Sequence, residues 1–461
     1  MRRAALIAAS ALALANALGT GGAPAQGRMP APGAATAAAA DPARSQPIDL
    51  ATALRLAGVN NLDLAAVRAA ERQAKAANDA ATLRFFPYLT IGQTYARRTG
   101  LDQATAGTMQ DVYKQLYHRG GTVGVGVDLG AAVFGKLAAR QLQTAAEHAV
   151  DAQRNDTLLA AADAYFDLVN AAAAVGIDEE AVRISQDYED QLQRAVAIGL
   201  TNRSEELRVA VQTRQAEVRL RAARGVEHAD AAALAAVLHL DPTIELTPAE
   251  RLVVPATLVP LDQSVDQLVR RALMRRPELQ ASGAVVSAAE HARTAAKYGP
   301  LIPSVGAAAT YEGTRGGANG ALDAYQPTHD YVVGLSWRIG PGGLFDFSRT
   351  EAADASLDRR RIADEKLRQG ITQQVVDAFG AAQTARDQMA LAREGVQLAQ
   401  RSLDLSMQRK EFGVYKVIEI IQAQQDLTRA RTSYADTLAL YAKAQYALAQ
   451  ATGTVGDPRV D

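Results

Sequence analysis

The 461-residue chain contains no cysteine. That excludes disulfides, thiolate zinc sites and thiol nucleophiles, and equally a lipid anchor on a cysteine behind a signal sequence. Aromatic residues are scarce at 5%, although 48% of the chain is hydrophobic, much of it alanine. Such material is thin for a thick globular core and suits long helices whose backbones approach closely. The net charge of -1 carries no global bias toward polyanions, and no nucleic-acid partner is expected. Beyond residue 25 no uninterrupted apolar run of about 18 residues occurs, so no membrane-crossing helix is expected. Proline is absent from 136–197, where Gly176 is the one glycine. If helical throughout, that stretch is on the order of 90 Å long at 1.5 Å per residue.

Recognisable chemistry is also missing. The six histidines are scattered, and three of them sit in adjacent Glu-His pairs (Glu147-His148, Glu227-His228, Glu290-His291). Neighbouring residues on a helix do not face each other, and no HExxH occurs, so no metal site is expected. The glycine-rich GTRGGANG at 313–320 lacks the lysine of a phosphate loop and is expected to be an outer loop. No Ser-His-Asp arrangement can be argued, and neither a cofactor nor an enzymatic activity is expected.

What is present begins with an export signal. Arg2 and Arg3 precede an apolar stretch that ends at Ala23-Pro24-Ala25. This reads as a signal peptide over 1–25, followed by a flexible leader over 26–47.

The rest of the chain is written twice. Pro87, Thr94 and Tyr95 of FFPYLTIGQTY recur as Pro303, Thr310 and Tyr311 of LIPSVGAAATY, 216 residues later in each case. Leu54, Ala57, Asp63 and Leu64 answer Val269, Ala272, Glu278 and Leu279, and Asp163-Ala164-Tyr165 answers Asp377-Ala378-Phe379. Gly199, Glu206 and Ala210 answer Gly413, Glu419 and Ala423. The order is kept throughout, which points to one ancient duplication with a period far too long for a solenoid. The first copy is placed at 48–241 and the second at 263–453, joined by a proline-rich connector at 242–262 and followed by a tail at 454–461. Each copy reads as helix, two strands, then a long helical hairpin. The strands are expected at about 85–97, 121–131, 301–313 and 330–340, and the hairpins at 134–240 and 346–452. A seven-residue apolar beat runs through Leu158, Ala162, Tyr165, Val169 and Ala172, and again through Ile420, Ala423, Leu427, Ala430 and Tyr434. It predicts knobs-into-holes packing. Leu438, Tyr441 and Leu448 resume the beat, with polar Gln445 as its one break.

The strands alternate. Val123, Val125, Val127 and Leu129 share one face of the second strand, and Tyr331, Val333, Leu335, Trp337 and Ile339 share one face of the fourth. Each segment is long enough to cross a bilayer at a tilt. Fourteen of the 23 aromatics fall within 85–134 and 298–347, bracketing the strands as interfacial girdles do. A half-buried sheet in a soluble domain gives the same alternation. Four strands cannot close a barrel, and an open edge cannot face lipid, so a membrane role requires several chains to share one barrel.

The duplicated plan, with NNLDL and RRPEL before long helices, FFPYLTIG and LIPSVGAA, VGLSWRIGPGGLFD, and GVYKVIEIIQAQQDLTRARTSYADTLALYAKAQYALAQATG, resembles the TolC-like outer-membrane efflux protein family over 48–453. The resemblance implies a mainly α fold with a small β part. Long periplasmic coiled-coil helices would form an α-barrel, and four strands per chain would contribute to a trimeric twelve-stranded transmembrane β-barrel in the outer membrane. It further implies an exit duct of a tripartite efflux pump or type I secretion system. The implied partners are a homotrimer, a periplasmic adaptor (membrane fusion) protein, an inner-membrane RND or ABC transporter, and outer-membrane lipid. A soluble periplasmic coiled-coil scaffold or chaperone is the competing reading.

The resemblance also assigns residues. The adaptor-docking turns correspond to Ile198, Gly199, Leu200 and Thr201, and to Phe412, Gly413, Val414 and Tyr415. Glu206 and Glu419 fall where the family places acidic residues toward the narrow pore, and a second acidic place holds Gln422. The family's gate-closing Arg is replaced by Tyr415, beside Lys416, and its gate-closing Tyr by Lys410. The strand-to-helix junction at LGAAVFGK lacks the proline expected there, unlike the junction at Pro341-Gly342-Gly343.

Overall fold

A computed structural model describes residues 46–241, 243–318, 322–411 and 417–454. The expected signal peptide, the leader up to residue 45 and the tail from 455 lie outside the described residues. The first copy runs β1 (Gln46–Ile48), α1 (Leu50–Asn60), α2 (Leu62–Leu83), β2 (Tyr88–Gln103), β3 (Met109–Asp128), α3 (Leu129–Ala197) and α4 (Arg203–Val237). The second repeats the series as β4 (Leu246–Pro248), α5 (Val265–Arg275), α6 (Pro277–Tyr298), β5 (Ser304–Ala318), β6 (Leu322–Ser336), α7 (Phe347–Glu411) and α8 (Val417–Ala451). Matching helices keep their lengths: α1 and α5 have 11 residues, α2 and α6 have 22, α4 and α8 have 35.

The quoted motifs turn out to be caps and hinges. The Asn61 side chain of NNLDL accepts from Leu64 N at 2.9 Å, starting α2 where α1 ends. In RRPEL, Pro277 occupies the first helical position of α6, where its missing N–H costs nothing. Buried Arg276 is held there by both oxygens of Glu278, at 2.6 and 3.1 Å, and donates to Gln374 of α7 at 2.5 Å. Pro87 and Pro303 each stand one residue before a strand, at the entry to β2 and β5. Proline disfavours helix for the residue before it, which ends the helical run at that point.

The strands are longer than the alternation predicted. β3 begins at Met109, not near 121, and Gly313–Ala318 of the expected outer loop belongs to β5. Far from the helices the strands carry Gly and charged residues on both faces, so hydrogen bonding continues where alternation has stopped. At the other end they are shorter. Leu129 is the first residue of α3, and Trp337 and Ile339 lie beyond β6, with Ile339 making only an isolated bridge to Leu344. The proline-less junction is tight: Asp128 ends β3 and its side chain accepts from Ala131 N at 2.9 Å to cap α3. Gly130 is required there, because a Cβ on it would lie 2.3 Å from the Gly299 carbonyl oxygen. In the second copy Asp346 plays the same part, accepting from Arg349 N at 3.1 Å and from Gly342 N at 2.8 Å.

The strands form one antiparallel sheet in the order β2-β3-β5-β6. The helices nearest them pack in the matching order α2-α3-α6-α7, and those beyond in the order α4-α3-α8-α7. One stretch of α3 is long and apolar enough by composition to cross a bilayer, but 56% of it is buried inside the protein. Its apolar surface is spent on packing. A core of Tyr165, Phe166, Leu168, Val169, Leu234, Leu238 and Leu438 joins α3, α4 and α8 to β1, α1 and β4. β1 and β4 pair in parallel, so the connector and the end of the leader are tied together rather than free. The polar break in the heptad is explained as well. Gln445 is fully buried, and its side-chain oxygen accepts from Leu258 N at 3.1 Å and Val259 N at 3.0 Å of the connector.

Candidate functional site

The first functional surface is the sheet. Directly opposed residues lie on the same face, and the register puts the apolar stripes of all four strands on one side. Leu89 opposes Val123, Val123 opposes Ala309, and Ala309 opposes Tyr331. The rows nearer the helices continue with Val125, Ala307 and Val333, then Val127, Val305 and Leu335. Most of this face is exposed in the single chain, including Leu89, Ile91, Val123, Val333 and Leu335. Aromatics stand at its helical end: Phe85, Phe86, Tyr298, Trp337, Phe345 and Phe347 are all exposed there. The opposite face is polar. Thr122 and Thr310 share a hydrogen bond at 3.0 Å, His118 Nδ1 lies 3.2 Å from Glu312 and 3.1 Å from Thr314, and Asp102 pairs with Arg98 and Lys114 at 2.8 Å each. Of the nine residues expected on the apolar face, the register aligns Val123, Val125, Val127, Tyr331, Val333 and Leu335; Leu129, Trp337 and Ile339 lie outside the strands.

The second is the end of the first helical hairpin. α3 stops at Ala197, and Gly199 takes φ +75°, a conformation that L side chains rarely adopt. Its N–H donates to Val196 O at 3.0 Å and that of Leu200 to Ala195 O at 2.8 Å, a Schellman closure that satisfies the last carbonyls. The same turn pushes Ile198 and Leu200 outward, 71% and 76% exposed, with Thr201 beside them. Phe412, Gly413, Val414, Tyr415 and Lys416 lie outside the described residues, and Lys410 is placed only as part of α7.

The acidic positions differ from one another. Glu206 is 7% exposed and pairs with Arg203 at 3.2 Å, one turn from Val209 in the core below the tip. Within the single chain Glu206 thus sits in the packed seam of its hairpin. Glu419 is 40% exposed, 3.4 Å from Arg409, and Gln422 is exposed three residues on along the same helix. Midway along the hairpins Lys443 of α8 pairs with Asp167 of α3. Burial pushes the Asp163 carboxyl above the usual carboxylate range, Lys443 opposes that and Asp167 adds to it.

Two surfaces were not read from the sequence. α4 exposes Leu207, Val211 and Val218, and α7 exposes Leu391, Leu398 and Leu405. The latter three are spaced by seven, a signal that was available. α4 and α7 are the outermost helices of their row, so these stripes have no partner among the described residues.

Comparison with known proteins agrees with this geometry. Residues 268–454 match the model of the outer membrane efflux protein family. Over that span, most of the second copy, the chain is similar to that family. Among its curated relatives, the outer membrane efflux protein BepC of Brucella suis biovar 1 (strain 1330) is 27% identical over 352 residues, 73% of each chain. Protein CyaE of Bordetella pertussis (strain Tohama I / ATCC BAA-589 / NCTC 13251) is 29% identical over 195 residues, 42% of this chain and 40% of its own. The fold is also that of the Campylobacter jejuni CmeC outer membrane channel, with a TM-score of 0.75 at 18% identity over 88% of this chain and 85% of the other.

Proposed function

We propose that three copies of this outer membrane efflux protein close into a duct through which substrates leave the cell. An inner-membrane RND or ABC transporter and a periplasmic adaptor would feed it, in an efflux pump or a type I secretion system. Transport, with no bond made or broken, is the role assigned.

One observation carries this reading. The same two sides of the chain are open at every level: β2 and β6 in the sheet, α2 and α7 beside it, α4 and α7 beyond. An unpaired strand edge facing lipid leaves backbone groups without partners. Joining the β2-α2-α4 side of one copy to the β6-α7 side of the next is a head-to-tail contact, which makes a ring when its rotation closes, here at three copies. Three copies supply twelve strands, with the apolar face outward to lipid and the Thr, His and Glu face inward to water. The stripes on α4 and α7 then become knobs and holes between neighbours.

The absence of native cysteine makes a direct test clean. Leu207→Cys combined with Leu405→Cys joins residues at comparable distances from the two hairpin ends. Oxidation of membranes is expected to give covalent dimers and trimers. A monomer recovered from the soluble periplasm would sink the duct.

At the tip we assign adaptor contact to Ile198, Gly199, Leu200 and Thr201, and to Phe412, Gly413, Val414 and Tyr415. Lys410, Tyr415 and Lys416 are assigned to the closing contacts. Glu419 and Gln422 are assigned to the pore, where three Glu419 carboxylates around one axis favour cations. Glu419→Gln is expected to lower the cation preference of single channels in a planar bilayer; an unchanged reversal potential would remove Glu419 from the pore.

A further inference from the structure

The apolar face of the sheet does not stay apolar. Moving away from the helices, its rows change from Val123, Ala309 and Tyr331 to Gln93 and Arg119, then Tyr95, Tyr117 and Arg315, then Arg97 and Gln115. The three arginines each lie over a tyrosine ring: Arg119 over Tyr325 at 4.3 Å, Arg97 over Tyr113 at 4.9 Å, and Arg315 over Tyr117 and Tyr325 at 5.0 and 5.3 Å. Tyr95 packs on Tyr117 with ring centroids 4.8 Å apart. Among the described side chains none of these guanidiniums has a carboxylate partner, and Asp111, at the far end of β3, is the acid on this face. The other face is built the opposite way, since Arg98 and Lys114 there are both paired with Asp102.

Height locates the arginines. From Val127, in the row nearest the helices, to Tyr117 is ten residues of β3. At about 3.4 Å per residue and a tilt near 40° that is about 26 Å, against an apolar band of about 25 Å in barrels of this kind. The rows of Arg119, Arg315 and Arg97 therefore fall at the level where lipid tails give way to headgroups, at the end of the barrel away from the helices. Three guanidiniums held over tyrosine rings, with no carboxylate partner among the described side chains, offer forked donors suited to phosphate.

We propose that Arg97, Arg119 and Arg315 form a binding belt for phosphorylated lipid headgroups of the outer leaflet. The proposal rests on the outer-membrane reading above. It adds a lipid partner and gives the tyrosines a function, that of holding each guanidinium against the wall and pointed along it.

The test uses the full chain, extracted from membranes as a trimer and exchanged into a zwitterionic detergent. Retention is measured for three probes: diphosphorylated lipid A, the same lipid stripped of both phosphates, and phosphatidylcholine. The phosphorylated probe is expected to be retained well above the other two, and 10 mM inorganic phosphate is expected not to displace it, which separates a headgroup site from a free-anion site. Each Arg→Gln change is expected to lower retention about fivefold, the factor that one basic residue contributes beside an anionic lipid surface. Arg98→Gln, which removes the same charge from the opposite face, is expected to leave retention unchanged. Equal retention of phosphorylated and stripped lipid overturns the proposal, as do single variants that hold the probe as the parent does or displacement by inorganic phosphate. If the triple variant fails to assemble, the single variants decide. A chain that never reaches the membrane overturns the duct reading and this one together, whereas a membrane trimer that ignores the phosphates overturns this one alone.

Discussion

Single residues decide how the two copies are stitched together. Gln445 interrupts an apolar series because it does a polar job: its oxygen satisfies two backbone N–H groups of the connector, and Tyr441 beside it bonds Thr257 at 2.9 Å. Gln445→Leu restores the heptad but strands both donors, and a buried donor left without a partner costs roughly 1–3 kcal/mol. The variant is therefore expected to lower the thermal unfolding midpoint despite its better apolar pattern; a higher midpoint would show the connector clamp to be dispensable. Asp163 makes the opposite case. Its folded-state pKa lies above 3.8 because burial disfavours the charged form, with Lys443 opposing that and Asp167 reinforcing it. The folded state then binds more protons than the unfolded one above pH 3.8, so this group costs stability as pH rises through that window. Asp163→Asn is expected to stabilise the protein at neutral pH, with the gain vanishing at acid pH. A gain that grows on acidification would reverse the assigned sign.

Elements behave as walls when their neighbours share a register. Each strand alternates only loosely, but pairing Leu89 with Val123, Ala309 and Tyr331 sums four weak stripes into one apolar surface. An arginine on the lipid face of a barrel costs about 2–4 kcal/mol near the midplane. Val125→Arg and Leu335→Arg are accordingly expected to reduce the yield of membrane trimer, whereas Ser336→Thr, on the inward face beside Leu335, is expected to be silent. Equal losses for all three would mean a soluble, two-sided sheet. The long helices follow a related rule. α3 buries a broader face than a two-residue seam because it packs between α4 and α8 while also carrying the core under α1 and β4.

For the whole molecule, the single chain is an unfinished object. Its open strand edges and its exposed stripes on α4 and α7 lie on the same two sides, so in the proposed duct one contact type, used repeatedly, would complete both barrels. Leu398→Glu places a charge in the middle of the α7 stripe, at a position the structure leaves exposed. It is expected to leave the protomer folded but to shift the protein from trimer to monomer in size-exclusion chromatography with light scattering. A full-strength trimer would place the contact elsewhere. The Arg97, Arg119 and Arg315 belt belongs to this scale too, since its meaning depends on where a closed barrel meets the membrane.

Much of this was legible from residue order alone, because duplication and periodicity are properties of a linear text. Pro87 and Pro303, the heptads, the alternating valines and the turn glycine Gly199 each act through local backbone geometry, and each can be read without knowing a partner. Other features became readable only when distant segments met. Strand ends depended on which residues found a ladder partner, so Leu129 passed to a helix and Thr314 to a strand. Glu206 looks like Glu419 in sequence, yet packing buries one beside Arg203 and leaves the other open. Gln445 had no meaning until the connector, nearly two hundred residues earlier in the chain, came to lie against it. The sequence by itself determined the repeat, the element types and the need for a shared barrel. Which face each residue presents, and which sides stay open for another copy, only the tertiary structure decided, because these depend on long-range pairing that no local pattern encodes.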